Sequence, residues 1–157
     1  MSPIISTQTC SPVSLVQHPC QAPLAPVASS LPLFLIKVPA GFPSPAADYV
    51  EETLDLNTYL VKHKAASFYF TVEGDSMTGA GILAGDRVLV DRSIEPKHGH
   101  IVVAVISNEF TLKRLYRWRG VVELRPENSA YKVIRITEDD DLQIWGVVAG
   151  VVRKFAV

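Results

Sequence analysis

From Ser67 to the C-terminus, short apolar runs rich in β-branched residues alternate with Gly, Asp, Asn and Pro punctuation, and no stretch is long enough for an extended helix. That rhythm restricts this part of the chain to short strands joined by turns. The expected strands cover residues 67–73, 87–91, 100–106, 109–116, 121–124, 132–136 and 142–152. Ser107-Asn108 and Trp118-Arg119-Gly120 read as tight hairpin connections, so the fold class is mainly β and antiparallel. Helix is expected only near Asp55, which can cap a short segment with Leu56, Tyr59, Leu60 and His63 at i, i+3, i+4 and i+7, and at Ser44-Pro45, an N-cap followed by proline.

Residues 1–40 follow a different rule. They contain seven of the eleven prolines, none of the nine glycines and a single charged side chain, Lys37. Such composition favours extended conformations over a packed core. The segment is expected to be an arm, with residues 31–38 lying against the surface of a domain formed by residues 41–157. The junction, Ala40-Gly41, is a peptide bond between two small residues.

Bulk properties narrow the function. Fifteen basic residues against sixteen acidic ones give a net charge of −1, which provides no global attraction to nucleic acid or anionic membrane. The apolar run 31–36 is far shorter than the roughly 20 residues that span a bilayer. Val38-Pro39-Ala40 resembles a secretory cleavage site only superficially, because no cation precedes the apolar run. Both cysteines, Cys10 and Cys20, lie in the arm, so no disulfide framework is implied and a reducing, cytoplasmic compartment fits. His98 and His100 lack further ligands at useful spacing, so neither metal nor cofactor is expected. The acidic run 138–141 reads as a solvated turn.

The chemistry centres on Gly74-Asp75-Ser76-Met77 and on Lys113, which lies 37 residues after Ser76 in an apolar strand. Glycines at 74, 79 and 81 let the segment turn tightly, present a hydroxyl and aim main-chain N–H groups at a carbonyl. A lysine activates serine only as the neutral amine, which requires burial to lower a pKa of about 10.4. Alternation puts Lys113 on one strand face with Thr111 and Leu115, and Arg114 on the other with Phe110 and Leu112. Arginine does not lose its proton, so only Lys113 suits a base. Taken alone, these residues also fit an ordinary turn and an edge-strand lysine reaching for water. Residues 113–119 interleave cations with aromatics, a pattern that can stack bases. The lack of net positive charge favours reading them as a charged hairpin.

Several separated motifs together resemble a known family. Residues 41–51 (GFPSPAADYVE), Gly74-Asp75-Ser76-Met77, Gly85-Asp86, Phe110-Thr111-Leu112-Lys113, Pro126-Glu127-Asn128-Ser129 and Gly146-Val147-Val148 occur in the order and spacing of UmuD-type proteins of the LexA self-cleaving family. The resemblance covers residues 41–157. It implies a twisted antiparallel peptidase domain with Ser76 as nucleophile, Lys113 as general base and Ala40-Gly41 as the scissile bond. The N–H groups of Asp75 and Ser76 would form the oxyanion hole. It also implies a homodimer, a RecA filament on single-stranded DNA as co-protease, and a UmuC-like Y-family polymerase as partner of the processed form in SOS mutagenesis. No direct sequence-specific DNA binding is expected, since residues 1–40 cannot supply the helix-turn-helix domain of LexA repressors. A type I signal peptidase would need a membrane anchor. The rival from another class is a polymerase accessory subunit with an unused dyad. The arm is longer than the UmuD pattern, and its two cysteines are unexplained.

Overall fold

The computed structural model describes residues 20–21, 29–34, 38, 40–41 and 50–157. Ten strands and one short α-helix, α1 (Leu56–Leu60), make up most of these residues. The strands are β1 (Cys20–Gln21), β2 (Ser30–Phe34), β3 (Val50–Asp55), β4 (Ser67–Thr71), β5 (Arg87–Asp91), β6 (Ile101–Ile106), β7 (Glu109–Trp118), β8 (Val121–Arg125), β9 (Ile134–Ile136) and β10 (Leu142–Val152). Eight form one sheet in the order β1-β4-β5-β10-β6-β7-β8-β9, and β2 pairs with β3 in a separate ribbon. Every pairing is antiparallel, and the expected mainly-β architecture is what the chain adopts.

Local turn chemistry accounts for the hairpins. Ser107 and Asn108 both take positive φ, as do Arg119 and Gly120, the backbone signature that matches the twist of paired strands. The long strand β10 sits between β5 and β6 and shifts register against each, between Val148 and Gly150 on one side and between Ile144 and Gly146 on the other. Such bulges increase local twist.

Alternation along β6 separates two cores. Val103 packs with Met77, Ile82, Val88 and Val90 on one face. Val102 and Ala104 join Leu115, Leu124 and Val147 on the other. Because both faces are covered, the central strands read as continuous apolar runs instead of alternating ones.

Several expectations need correction, among them two strand ends: β4 stops at Thr71 instead of residue 73, and β7 runs on to Trp118 instead of stopping at residue 116. Asp55 does cap α1, its side chain accepting from the Asn57 N–H at 2.9 Å, but the helix ends at Leu60 instead of continuing to His63. His63 instead places Nδ1 2.6 Å from the Asp91 carboxylate, a tertiary contact that a helical continuation would forgo. Strand β9 starts at Ile134, two residues later than expected. Residues 30–34 of the arm do pair as an extended strand with β3 of the expected domain, but Val38 is exposed instead of packed. Among the described residues of the arm, the two-residue β1 adds to the edge of the main sheet, beside β4. The helix start at Ser44-Pro45 and the arm residues Cys10 and His18 lie outside the described residues.

Candidate active site

Ser76 sits in the turn that follows β4. Two hydrogen bonds close the neck of this loop, Val72 N–H to Asp86 O and Gly85 N–H to Val72 O, at 2.8 and 2.9 Å. Inside it, Thr78–Ala80 forms one 3₁₀ turn, and buried Met77 and Ile82 anchor it in the first core cluster. The turn is also bound to residues just after β8. Glu127 N–H donates to Ser76 O at 2.8 Å, and Gly79 N–H donates to Glu127 O at 2.7 Å. A Cβ on Gly79 would stand 2.5 Å from that oxygen, so only glycine permits the approach.

Further contacts fix this bracing segment. Asn128 Nδ2 donates to Asp75 O at 3.0 Å, and the Tyr131 hydroxyl donates to the Asp75 carboxylate. Arg114, on the opposite strand face from Lys113, pairs with the Glu127 carboxylate and donates to Gly99 O at 2.7 Å. On the other side of the loop, buried Asp86 accepts from Leu83 N–H at 2.7 Å and from Arg153 Nε and Nη2, each at 2.6 Å. The Arg153 hydrogen bonds hold the Asp86 pKa down to about 2, against the opposing effect of burial.

Lys113 enters from β7, on the face shared with Leu115 and opposite Val102 of β6. It is only 9% exposed. Its Nζ lies 2.9 Å from Ser76 Oγ, 3.1 Å from Thr111 Oγ1 and 3.0 Å from Leu112 O. No carboxylate is among these partners. Desolvation accordingly lowers the lysine pKa, the direction that populates a neutral amine. That amine can accept the serine proton across the same distance. Among the described residues, no acceptor takes the main-chain N–H of Asp75 or Ser76.

The structure therefore brings Ser76 and Lys113 together. Ala40 and Gly41 lie in the link between β2 and β3, both exposed, and a Cβ built on Gly41 would meet no atom within 4 Å. Gly85-Asp86 and Pro126-Glu127-Asn128-Ser129, whose role no local sequence pattern reveals, both support the serine loop. The strand alternation that sets Lys113 apart also aligns Thr111 with it, the sequence signal for this partner of Nζ. Among the described residues, no group of three or more His, Cys, Asp or Glu could hold a metal ion, and no helix is long and apolar enough to cross a membrane. His98 and His100 instead accept at Nδ1 from the main-chain N–H groups of Arg117 and Lys97, each at 3.2 Å.

Comparison with known proteins gives the geometry a context. Residues 32–149 match the Peptidase S24-like family. Protein SamA of Salmonella typhimurium is 46% identical over 129 residues, covering 82% of this chain and 89% of its own length. Protein MucA of Escherichia coli is 45% identical over 120 residues, covering 76% of this chain and 82% of its own. The LexA repressor of Clostridium novyi is 38% identical over 119 residues, but these are 58% of its length. The chain thus belongs to the Peptidase S24-like family, among its UmuD-type members.

Proposed function

We propose that this protein is an autoproteolytic serine endopeptidase that cuts its own Ala40-Gly41 bond. The observation that carries the reading is the buried Lys113 Nζ at 2.9 Å from Ser76 Oγ, with no carboxylate among its described partners to hold it charged. Neutral Lys113 removes the hydroxyl proton as Ser76 Oγ attacks the Ala40 carbonyl. The resulting oxyanion is stabilised by the Asp75 and Ser76 N–H groups. On collapse, the proton passes from Lys113 to the Gly41 nitrogen, leaving Ala40 esterified to Ser76. Water, deprotonated by the same amine, then releases residues 1–40. Small side chains at 40 and 41 let the backbone approach the turn closely, and tethering gives the arm a high local concentration, so a single slow turnover suffices.

Its place in SOS mutagenesis follows from the UmuD-type kinship. A RecA filament on single-stranded DNA would favour the docked arm by shifting an equilibrium, contributing no catalytic group. The processed chain, residues 41–157, would dimerise and serve a UmuC-like Y-family polymerase in the cytoplasm.

Intact-mass spectrometry of the full chain tests the chemistry, from pH 7 to pH 10 and with or without the filament. Fragments 1–40 and 41–157 are expected, more slowly at pH 7 without the filament and faster as alkali deprotonates Lys113. Ser76→Ala should give neither fragment. An intact wild-type chain under every condition would leave only an accessory role for the polymerase.

A further inference from the structure

The hairpin of β7 and β8 carries a second surface, separate from the serine turn. Its strand alternation places Tyr116 and Trp118 on the face that also bears Arg125 and, across β9, Arg135. Trp118 is 56% exposed although it is large and apolar. His98 stands edge-on to Tyr116 with ring centres 5.0 Å apart and lies 6.3 Å from Trp118, so the three rings form a continuous row. The Arg125 guanidinium sits 3.5 Å above the Tyr116 ring, and that of Arg119 lies 5.9 Å from Trp118.

Charge is segregated here. From residue 114 to residue 135 six Arg or Lys stand against two Glu, in a chain whose total is −1. Of the two carboxylates, Glu127 is taken by Arg114. Glu123 lies beneath the face, 6% exposed, and accepts from both Arg125 and Arg135, the latter 83% exposed. Positive charge is therefore outermost, and an aromatic row runs beside it. The sequence showed only half of this arrangement, because Arg125 and Arg135 reach the hairpin face through β8 and β9.

The geometry points to a binding surface for single-stranded nucleic acid, with bases stacking on Trp118 and the exposed His98 ring while Arg119, Arg125 and Arg135 meet phosphates. Aromatic faces accept any base, so recognition is independent of sequence. A duplex hides its base faces and offers only phosphates, which makes single strands the favoured ligand.

Titration of the full chain with a fluorescein-labelled oligothymidylate of about 30 nucleotides tests this, since footprints on such platforms run from about 4 to 16 nucleotides. Neutralising about three phosphates predicts an affinity roughly 20-fold lower at about 200 mM salt than at about 50 mM. Trp118→Ala should bind about tenfold or more weakly with an unchanged melting temperature. Arg119→Ala should flatten the logarithmic salt dependence by about 0.7. The oligonucleotide should also quench tryptophan emission in the wild type and not in Trp118→Ala, whose remaining Trp145 is packed against Phe68 and Phe70. No binding at low salt, duplex bound as tightly as single strand, or full affinity in Trp118→Ala would overturn the inference and leave this face to a protein partner.

Discussion

The serine loop and the ribbon that carries Ala40-Gly41 are held in opposite ways. Around Ser76, main-chain bonds to Glu127, side-chain bonds from Asn128 and Tyr131, and the Asp86–Arg153 pair fix the turn from two sides. The ribbon consists of β2 paired with β3, and the bond between residues 40 and 41 lies in its exposed link. One region is assembled before any reaction. In the other, the proposed scissile bond is presented to solvent. A preorganised nucleophile costs no reorganisation at the moment of attack, so in the proposed mechanism control rests with delivery of the substrate.

Lys113→Met should break this contrast most severely. It keeps a long apolar stem but no amine, so self-cleavage should fall by at least about 10³-fold at every pH from 7 to 10. Because burial disfavours the charged lysine, the melting temperature should stay the same or rise. A clear fall in stability would assign the ammonium a structural duty instead. Gly79→Ala tests the bracing itself. The added methyl would push Glu127 away at a cost of about 1–3 kcal/mol, and the displaced Ser76 should cleave about tenfold or more slowly by intact mass.

Acid should loosen the loop next. The Asp86 pKa is held near 2, below its ordinary 3.8, so its stabilising effect is complete above about pH 4 and is lost as pH falls towards 2. Urea midpoints should therefore decline across that window. In Arg153→Ala the midpoint should be lower at neutral pH, with the decline flattened or reversed, because a buried carboxylate without its partner prefers to be protonated. An unchanged slope would dissociate Arg153 from the acid response. Thr111→Val should have the smallest effect. It removes one acceptor that favours the charged amine, so the pH–rate midpoint should move down and cleavage at pH 7 should rise about two- to fivefold. A shift to higher pH would mean that Thr111 chiefly positions Nζ.

What the sequence made legible was local. Strands β5 and β10 and the turns at Ser107-Asn108 and Arg119-Gly120 follow from periodicity and turn chemistry within a few residues. Sheet order was not legible, because β10 is flanked by β5 and β6, which come much earlier in the chain, and because its bulges adapt it to each neighbour. Helix α1 ends at Leu60, and His63 pairs instead with the distant Asp91, which no local pattern shows. At the site, residue chemistry nominated Ser76 and Lys113, and several in-register motifs strengthened the reading. Their supports came from elements separated in sequence: Glu127 bound to Gly79, and Arg153 bound to Asp86. Arg114 illustrates the limit, because alternation gave its face but could not reveal that it clamps Glu127.

The β2–β3 ladder has a consequence for what hydrolysis would accomplish. Residues 30–34 and 50–55 lie on opposite sides of the 40/41 bond yet stay joined by antiparallel pairing. A cut there would open the hairpin's loop without unzipping its stem, turning one polypeptide into a noncovalent complex. The severed peptide would then have to peel off or be displaced, so the nick and the departure would be two events with separate clocks.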